Sequence, residues 1–382
     1  MRLVIDGQRL TAERTGVGRC LESLLADWAE TGLPLEEVLV VLRDRAGLAR
    51  VPDVPGLRST VVGESWPGLA WDCFGLGRVL RRDDLLFAPA NLAPPIWWGR
   101  TVLVIYDTLP WAVPESFPWH VRWRFGWRYR LAAQRATRVL VPSRATARDV
   151  VQVHGVPEDQ LRVVYPGPEP SFRPLPPDGA EVSLARRSIG LGVDPFFLFL
   201  GKRSARRNLP AILEAFAQHR RAHPTHRLVF AGPDGGAPLP DQEASAAAGI
   251  VAAGHVAEPV LGGLLAGALA LLYPSNHEGF GLPIVEAMAS GCPVVTLRNS
   301  ALGEAGGDAP WYLDAPTAAA LARAMHCLAT APADRAARIA RGLAHVARFS
   351  RARFAREVKE ELRAVAADSR SSAVSAPALH RV

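Results

Sequence analysis

Two successive series of short apolar runs, each interleaved with helix-patterned stretches, constrain this chain more than any other feature. The first series is "RLVI", "EEVLVVL", "TVLVIYD" and "TRVLVPS", with the helical stretch "GVGRCLESLLADWAE" after its first member. The second is "FFLFLG", "RLVFAG", "GIVAAG", "ALALLYPS" and "CPVVTL", with "NLPAILEAFAQHRR" after its first member. Short apolar runs alternating with helices fit the buried strands of a parallel sheet. The expected fold is therefore α/β, with doubly wound, Rossmann-like sheets. A chain of 382 residues exceeds one ordinary core, so the two series predict two such domains facing one another across a cleft.

The stretch "RPLPPDGAEVSLARRSIGLGVD" is rich in Pro and Gly and interrupts the alternation. It reads as a linker at 173–193, between an N-terminal domain at 1–172 and a C-terminal one at 194–350. A last helix at 351–368 is expected to return to the first domain, and 369–382, which lacks periodicity, to be a disordered tail.

In open α/β sheets ligands bind beyond the carboxyl ends of the strands, so the loops after strands are where chemistry is expected. After "ALALLYPS" comes "NHEGFGLPIVEAMASG", a loop and then a helix with Pro283 in its first turn and Gly291 as its stop. Glu278 falls in the loop and Glu286 about one turn into the helix. Gly279 and Gly281, flanking Phe280, let the backbone approach a ligand, and a helix N-terminus offers N–H groups to phosphate oxygens. Glu286 can accept from paired ribose hydroxyls, and Glu278 from a sugar ring. Each glutamate taken alone also fits a plain strand–turn–helix whose first turn favours acidic side chains.

The string "PSNHEGFGLPIVEAMASGCPVV" resembles the signature of retaining glycosyltransferases of family 4, whose architecture is GT-B. Further segments resemble the family in the same order along nearly the whole chain. These are "TGVGR", "VIYDTLPWAVPE", "VVYPGPEPSFRP", "GKRSARRNLPAILEAF" and "LGEAGGDAPWYLD". The resemblance implies transfer of a hexose from a UDP- or GDP-linked sugar to a saccharide or lipid-linked glycan, with mannose favoured weakly and no other cofactor. It implies that Glu286 binds the nucleotide ribose and that Glu278 lies by the donor sugar. The backbone of Gly279, Phe280 and Gly281 would lie beside sugar and diphosphate, and Gly16 and Gly18 would approach the reaction centre from the other domain.

The family's basic pair on the diphosphate corresponds to Lys202 and Arg207, in the order opposite to its usual Arg-then-Lys. A diphosphate needs positive charge, and the chain has no D-x-D triplet to hold a metal, so metal independence is expected. Arg203 and Arg206 read as exposed loop cations. Tyr106-Asp107 stands where the family commonly has His-Asp, so the catalytic set implied is Glu278, Tyr106 and Asp107. A phenol donates a hydrogen bond but does not titrate near pH 7 as imidazole does. That replacement motivates an alternative, a non-catalytic sugar-nucleotide-binding subunit.

His219, His223 and His226 have a spacing that mimics a metal site, but Pro224 and the neighbouring Arg220, Arg221 and Arg227 speak against one. The formal charge of +7 calls for acidic partners, and no nucleic-acid motif appears. Four scattered cysteines and the absence of a signal-peptide pattern or a long apolar run predict a cytoplasmic protein. In "PWHVRWRFGWRYRLAAQRATR", Trp119, Trp123 and Trp127 form one helical stripe opposed by Val121, Phe125 and Ala132. The stripe fits either a buried helix face or an outward face that meets lipid headgroups, which would add a peripheral membrane contact on the inner face of the cell membrane.

Overall fold

A computed structural model describes residues 1–11, 16–64 and 66–368. It divides into two compact units, Met1–Pro166 with the chain from Arg351 onward, and Gly167–Ser350.

The first unit is built on β1 (Leu3–Asp6), β2 (Val38–Leu42), β3 (Leu57–Val61), β4 (Leu85–Ala88), β5 (Thr101–Val104), β6 (Arg138–Val141) and β7 (Leu161–Val163). All are parallel, in the order β3-β2-β1-β4-β5-β6-β7. Alternate residues of β1 enter opposite cores, which explains its unbroken apolar run. Leu3 and Ile5 pack with Leu21, Leu25 and Trp28 of the helix Gly16–Thr31 and with Val358 and Leu362 of the helix Arg351–Ala367. Val4 faces Ala132 and Ala133 of the helix Trp119–Arg135 and Val150 of the helix Arg144–His154. The last helix is tied to this unit by polar contacts too. Trp28 Nε1 donates to Ala355 O at 3.0 Å, and Lys359 Nζ donates to Thr31 Oγ1 at 2.8 Å.

The second unit holds β8 (Phe196–Leu200), β9 (Arg227–Ala231), β10 (Ile250–Gly254), β11 (Ala270–Tyr273), β12 (Val294–Leu297) and β13 (Trp311–Leu313). They too are parallel, ordered β10-β9-β8-β11-β12-β13. In each sheet the order reverses beside its first strand, between β1 and β4 and between β8 and β11. Such a switch point opens a crevice at the strands' carboxyl ends.

The segment expected to link the domains is not a linker. Residues Ala180–Ser188 form a helix that belongs to the second unit, and the division falls at Pro166/Gly167 rather than after residue 172. Val182 and Ala185 are buried against the helix Glu258–Gly267. The two axes come close because a Cβ at Gly263 would stand 2.7 Å from Ala185 Cβ, and one at Gly267 2.7 Å from Val182 Cγ1. Flanking prolines and glycines hid a short amphipathic helix. The expected tail at 369–382 lies outside the described residues.

Candidate functional site

The switch point of the second sheet is formed by the loops after β8 and β11, and the third neighbouring loop follows β12. Asn208, in the left-handed region at φ 54, donates through Nδ2 to Pro274 O at 2.8 Å and to Asn276 Oδ1 at 2.7 Å. Asn276 N donates to Arg206 O at 2.8 Å, and Asn299 Nδ2 to Asn276 O at 2.9 Å. Glu278 N donates to Ser300 Oγ at 3.1 Å. The three loops are one hydrogen-bonded assembly, so the side chains they carry are positioned together.

Glu278 lies at its centre. Its Oε1 accepts from the Tyr273 hydroxyl at 2.6 Å, from Ser275 Oγ at 3.1 Å and from Arg207 Nε at 3.2 Å, and it is paired with Arg206 Nη1. All of these contacts fall on one oxygen. Burial alone would raise the Glu278 pKa, but Arg207 and then Arg206 outweigh it and hold the carboxyl below its ordinary value. The group is a fixed carboxylate at neutral pH.

Arg207 is 8% exposed. Its Nη1 donates to Lys202 O at 3.0 Å and its Nη2 to the Tyr273 hydroxyl at 3.1 Å. Burial opposes its charge, and Tyr273 and Glu278 more than restore it. The guanidinium is seated against Gly201, at φ 113, where any Cβ would collide with it. Lys202 is exposed, and its ammonium has no ion-pair partner among the described residues.

Arg206 corrects the sequence reading. Instead of an exposed loop cation it is a member of the Glu278 network, donating to Ser275 Oγ and His277 O at 2.8 Å each. Arg203 is not a free cation either, since it pairs with Asp234 at 3.2 Å. Tyr273 and Ser275 also went unread as site residues, because the end of an apolar strand gives no sign that its last hydroxyls turn toward a carboxylate.

The Gly279–Gly281 turn leads into the helix Leu282–Ala289. Gly281 takes φ 101, which a residue with a Cβ rarely adopts, and Pro283 occupies the helix's first turn. Phe280 anchors the turn edge-on to Phe349, with ring centroids 5.4 Å apart. Glu286 is buried at 2% exposure within this otherwise apolar helix.

The remaining expected residues belong to the first unit. Gly16 opens the helix Gly16–Thr31 and Gly18 is buried within it, while 12–15, including the threonine of "TGVGR", lie outside the described residues. Tyr106 is half-buried against the core cluster, its phenol driven well up by burial and then by the Cys20 thiol. Asp107 Oδ1 accepts from Leu109 N at 3.1 Å. At the switch point beside β1 lies a buried polar cluster that the sequence did not flag. Gln8 N donates to Asp6 Oδ1 at 3.0 Å, Gln8 Nε2 to Asp72 Oδ1 at 2.7 Å, and Arg128 Nη2 to Asp72 Oδ2 at 3.1 Å. Burial pushes Asp6 up to about 6. Trp119, Trp123 and Trp127 are 76%, 72% and 51% exposed, so they face outward, while Ala132 is buried. The side chains of Val121 and Phe125 lie outside the described residues. No helix among the described residues is long and apolar enough to cross a membrane.

Two family models match the chain in succession: "Glycosyltransferase Family 4" over residues 14–172 and "Glycosyl transferases group 1" over 194–331. The chain is a glycosyltransferase of the family 4 type. A D-inositol 3-phosphate glycosyltransferase of Acidothermus cellulolyticus is 31% identical over 230 residues, 56% of this chain. That match spans half the length of the relative. The O-antigen chain mannosyltransferase B of Escherichia coli is 26% identical over 274 residues, 70% of this chain and 71% of the relative. In structure, Anabaena HepE in complex with UDP-glucose is similar over 95% of this chain and all of its own, with a TM-score of 0.73 at 19% identity. WaaG, a glycosyltransferase involved in lipopolysaccharide biosynthesis, gives a TM-score of 0.68 at 16% identity, covering 95% of this chain and 99% of its own. At these identities the likeness concerns the fold, which is GT-B, with two Rossmann-like domains.

Proposed function

We propose that this glycosyltransferase moves a hexosyl group from a nucleoside-diphosphate sugar to a saccharide or lipid-linked glycan, with retention at the anomeric carbon and without a divalent metal. The observation that carries the reading is the Glu278 carboxylate, held on Oε1 by Arg206, Arg207, Tyr273 and Ser275. Its other oxygen is left to accept from hydroxyls of a donor sugar.

Lys202, Arg206 and Arg207 stand after β8 and supply the positive charge that a diphosphate leaving group requires. Glu286 takes the nucleotide ribose. Retention follows if the acceptor hydroxyl attacks the anomeric carbon on the face the diphosphate leaves. The bond from that carbon to the phosphate oxygen breaks with its electron pair going to the phosphate, which receives the acceptor proton. No titrating side chain is then needed at position 106, which accommodates Tyr106.

The acceptor is assigned to the first unit, in the crevice beside β1. There Arg128 is buried, and its Nε and Nη1 lack hydrogen-bond partners among the described residues, which supports recognition of a polar acceptor group. The outward Trp119, Trp123 and Trp127, with Arg130 exposed among them, support a peripheral membrane contact where a lipid-linked acceptor would reside. The name of the Escherichia coli relative makes a mannose donor the first to test, supplied as GDP-mannose, and that of the Anabaena complex makes UDP-glucose the second. The test is nucleotide release from a panel of GDP- and UDP-sugars, followed by assignment of the product's anomeric configuration. An inverted product would refute the retaining reading.

A further inference from the structure

The structure gathers four imidazoles at the opposite end of the helix that starts beside Arg207. The helix Leu209–Arg220 ends one residue after His219, and the chain turns back so that His223 and His226 return to it. His219 Nε2 lies 2.9 Å from His226 Nδ1. His223 stacks on His219 with centroids 4.4 Å apart, and on His226 with centroids 4.8 Å apart. The ligand atoms of these three residues all fall within 4.8 Å of one another. His326, from the helix Ala318–Thr330, brings Nδ1 to 3.3 Å from His223 Nε2. Pro224, which in the sequence speaks against a metal site, is part of the turn that brings these rings together.

That turn is braced independently of any ligand. His223 N donates to His219 O at 3.2 Å and His226 N to His223 O at 3.1 Å. Arg220 donates through Nη2 to Pro224 O and through Nη1 to Ala247 O, both at 2.8 Å. His219 is only 4% exposed, yet its Nδ1 has no hydrogen-bond partner among the described residues. A tetrahedral ion bound at about 2.0–2.1 Å to imidazole nitrogens separates its ligand atoms by roughly 3.3 Å. The two nitrogen-to-nitrogen distances, 2.9 and 3.3 Å, are close to that spacing.

We propose that His219, His223 and His226, with His326 as the fourth ligand, bind a divalent transition-metal ion of the zinc class. An all-imidazole set favours zinc, copper or nickel over magnesium and calcium. The ion fastens the helix Leu209–Arg220 to the helix Ala318–Thr330. The first of these spans 12 residues, so the ion would sit about 18 Å along the helix from Arg207. Its role is therefore structural and separate from sugar transfer.

The test uses the full chain without a polyhistidine tag, stripped by a chelator and titrated with Zn²⁺ in a calorimeter, with Co²⁺ as the spectroscopic probe. The wild type is expected to bind Zn²⁺ with a stoichiometry of about one, to unfold at a higher temperature with the ion, and to show intense tetrahedral cobalt absorption. The His223→Gln/His226→Gln double variant should lose all three, with its far-UV circular dichroism unchanged. His326→Gln, an exposed substitution that leaves the fold alone, should lose the tetrahedral cobalt spectrum. Absence of Zn²⁺ binding by the wild type would overturn the proposal, as would binding that persists in the double variant or a cobalt spectrum unchanged by His326→Gln.

Discussion

The Tyr273 hydroxyl donates to Glu278 Oε1 at 2.6 Å while accepting from Arg207 Nη2 at 3.1 Å, so the last residue of β11 connects the loop cation to the loop carboxylate. Tyr273 is 1% exposed and cannot reach a ligand itself, which makes it a positioning residue. Tyr273→Phe keeps the ring and removes both charge-assisted bonds, of which the one to Glu278 is worth about 1.5–3 kcal/mol. The expected outcome is a loss of roughly 10- to 100-fold in kcat/KM for the donor, with the fold intact by circular dichroism. Unchanged turnover would show that Glu278 is held well enough without it.

Lys202 and Arg207 should separate binding from stability. Lys202 is exposed, so Lys202→Ala should leave the melting temperature where it is and weaken nucleoside-diphosphate binding. Arg207 is buried among Glu278, Tyr273 and the Lys202 carbonyl, so Arg207→Gln should lower both affinity and stability. The expected stability loss is about 3–5 kcal/mol, as for breaking a buried pair. Calorimetry with the preferred nucleotide and thermal melts on the same samples decide it.

Asp6 gives the first unit a pH signature. Its folded pKa of about 6 lies above its ordinary value of 3.8. Below the ordinary value both folded and unfolded states hold the proton, and no penalty arises. As pH rises the unfolded state ionises first, and the penalty grows until it saturates above about 6. Asp6→Asn keeps the acceptor for Gln8 N and should stabilise the protein above that pH by about 2–3 kcal/mol, with the gain vanishing near pH 4. Denaturant melts across this range test it, and a gain independent of pH would contradict it.

The tryptophan stripe makes a clean two-way test. Because Trp119, Trp123 and Trp127 are exposed, the triple alanine variant should melt within a degree or two of the wild type. Burial would instead have cost about 3–5 kcal/mol for each residue. The variant should lose co-sedimentation with anionic liposomes that the wild type shows. A wild type that never sediments with them removes the membrane contact from the account.

Much of this was legible in the sequence, and the gaps have physical causes. The apolar runs of β1, β2, β8, β9 and β11 announce themselves because both faces of a parallel strand are buried. Edge strand β3, "LRSTV", does not, since Arg58 and Ser59 are exposed. Three-residue β7 and β13 are too short to show a period. The loop position of Glu278 was readable from its place after a strand, and Arg207 was singled out by the family resemblance. The part of Arg206 was not, because two adjacent arginines share one loop and only the 3₁₀ turn before Asn208 directs both toward Glu278. The gathering of the histidines was not readable for a similar reason: its geometry comes from a turn, and spacing rules describe helices.

The most direct measurement is nucleotide release from GDP- and UDP-sugars by the wild type and by Glu278→Gln, with a chelator present and well below the unfolding temperature. The wild type is expected to release nucleotide from one donor class, undiminished by the chelator, and Glu278→Gln to do so about 100-fold more slowly or worse, the scale for removing one preorganised polar group at a reacting centre. Equal rates for the two proteins, or activity that returns only when magnesium or manganese is added, would contradict it.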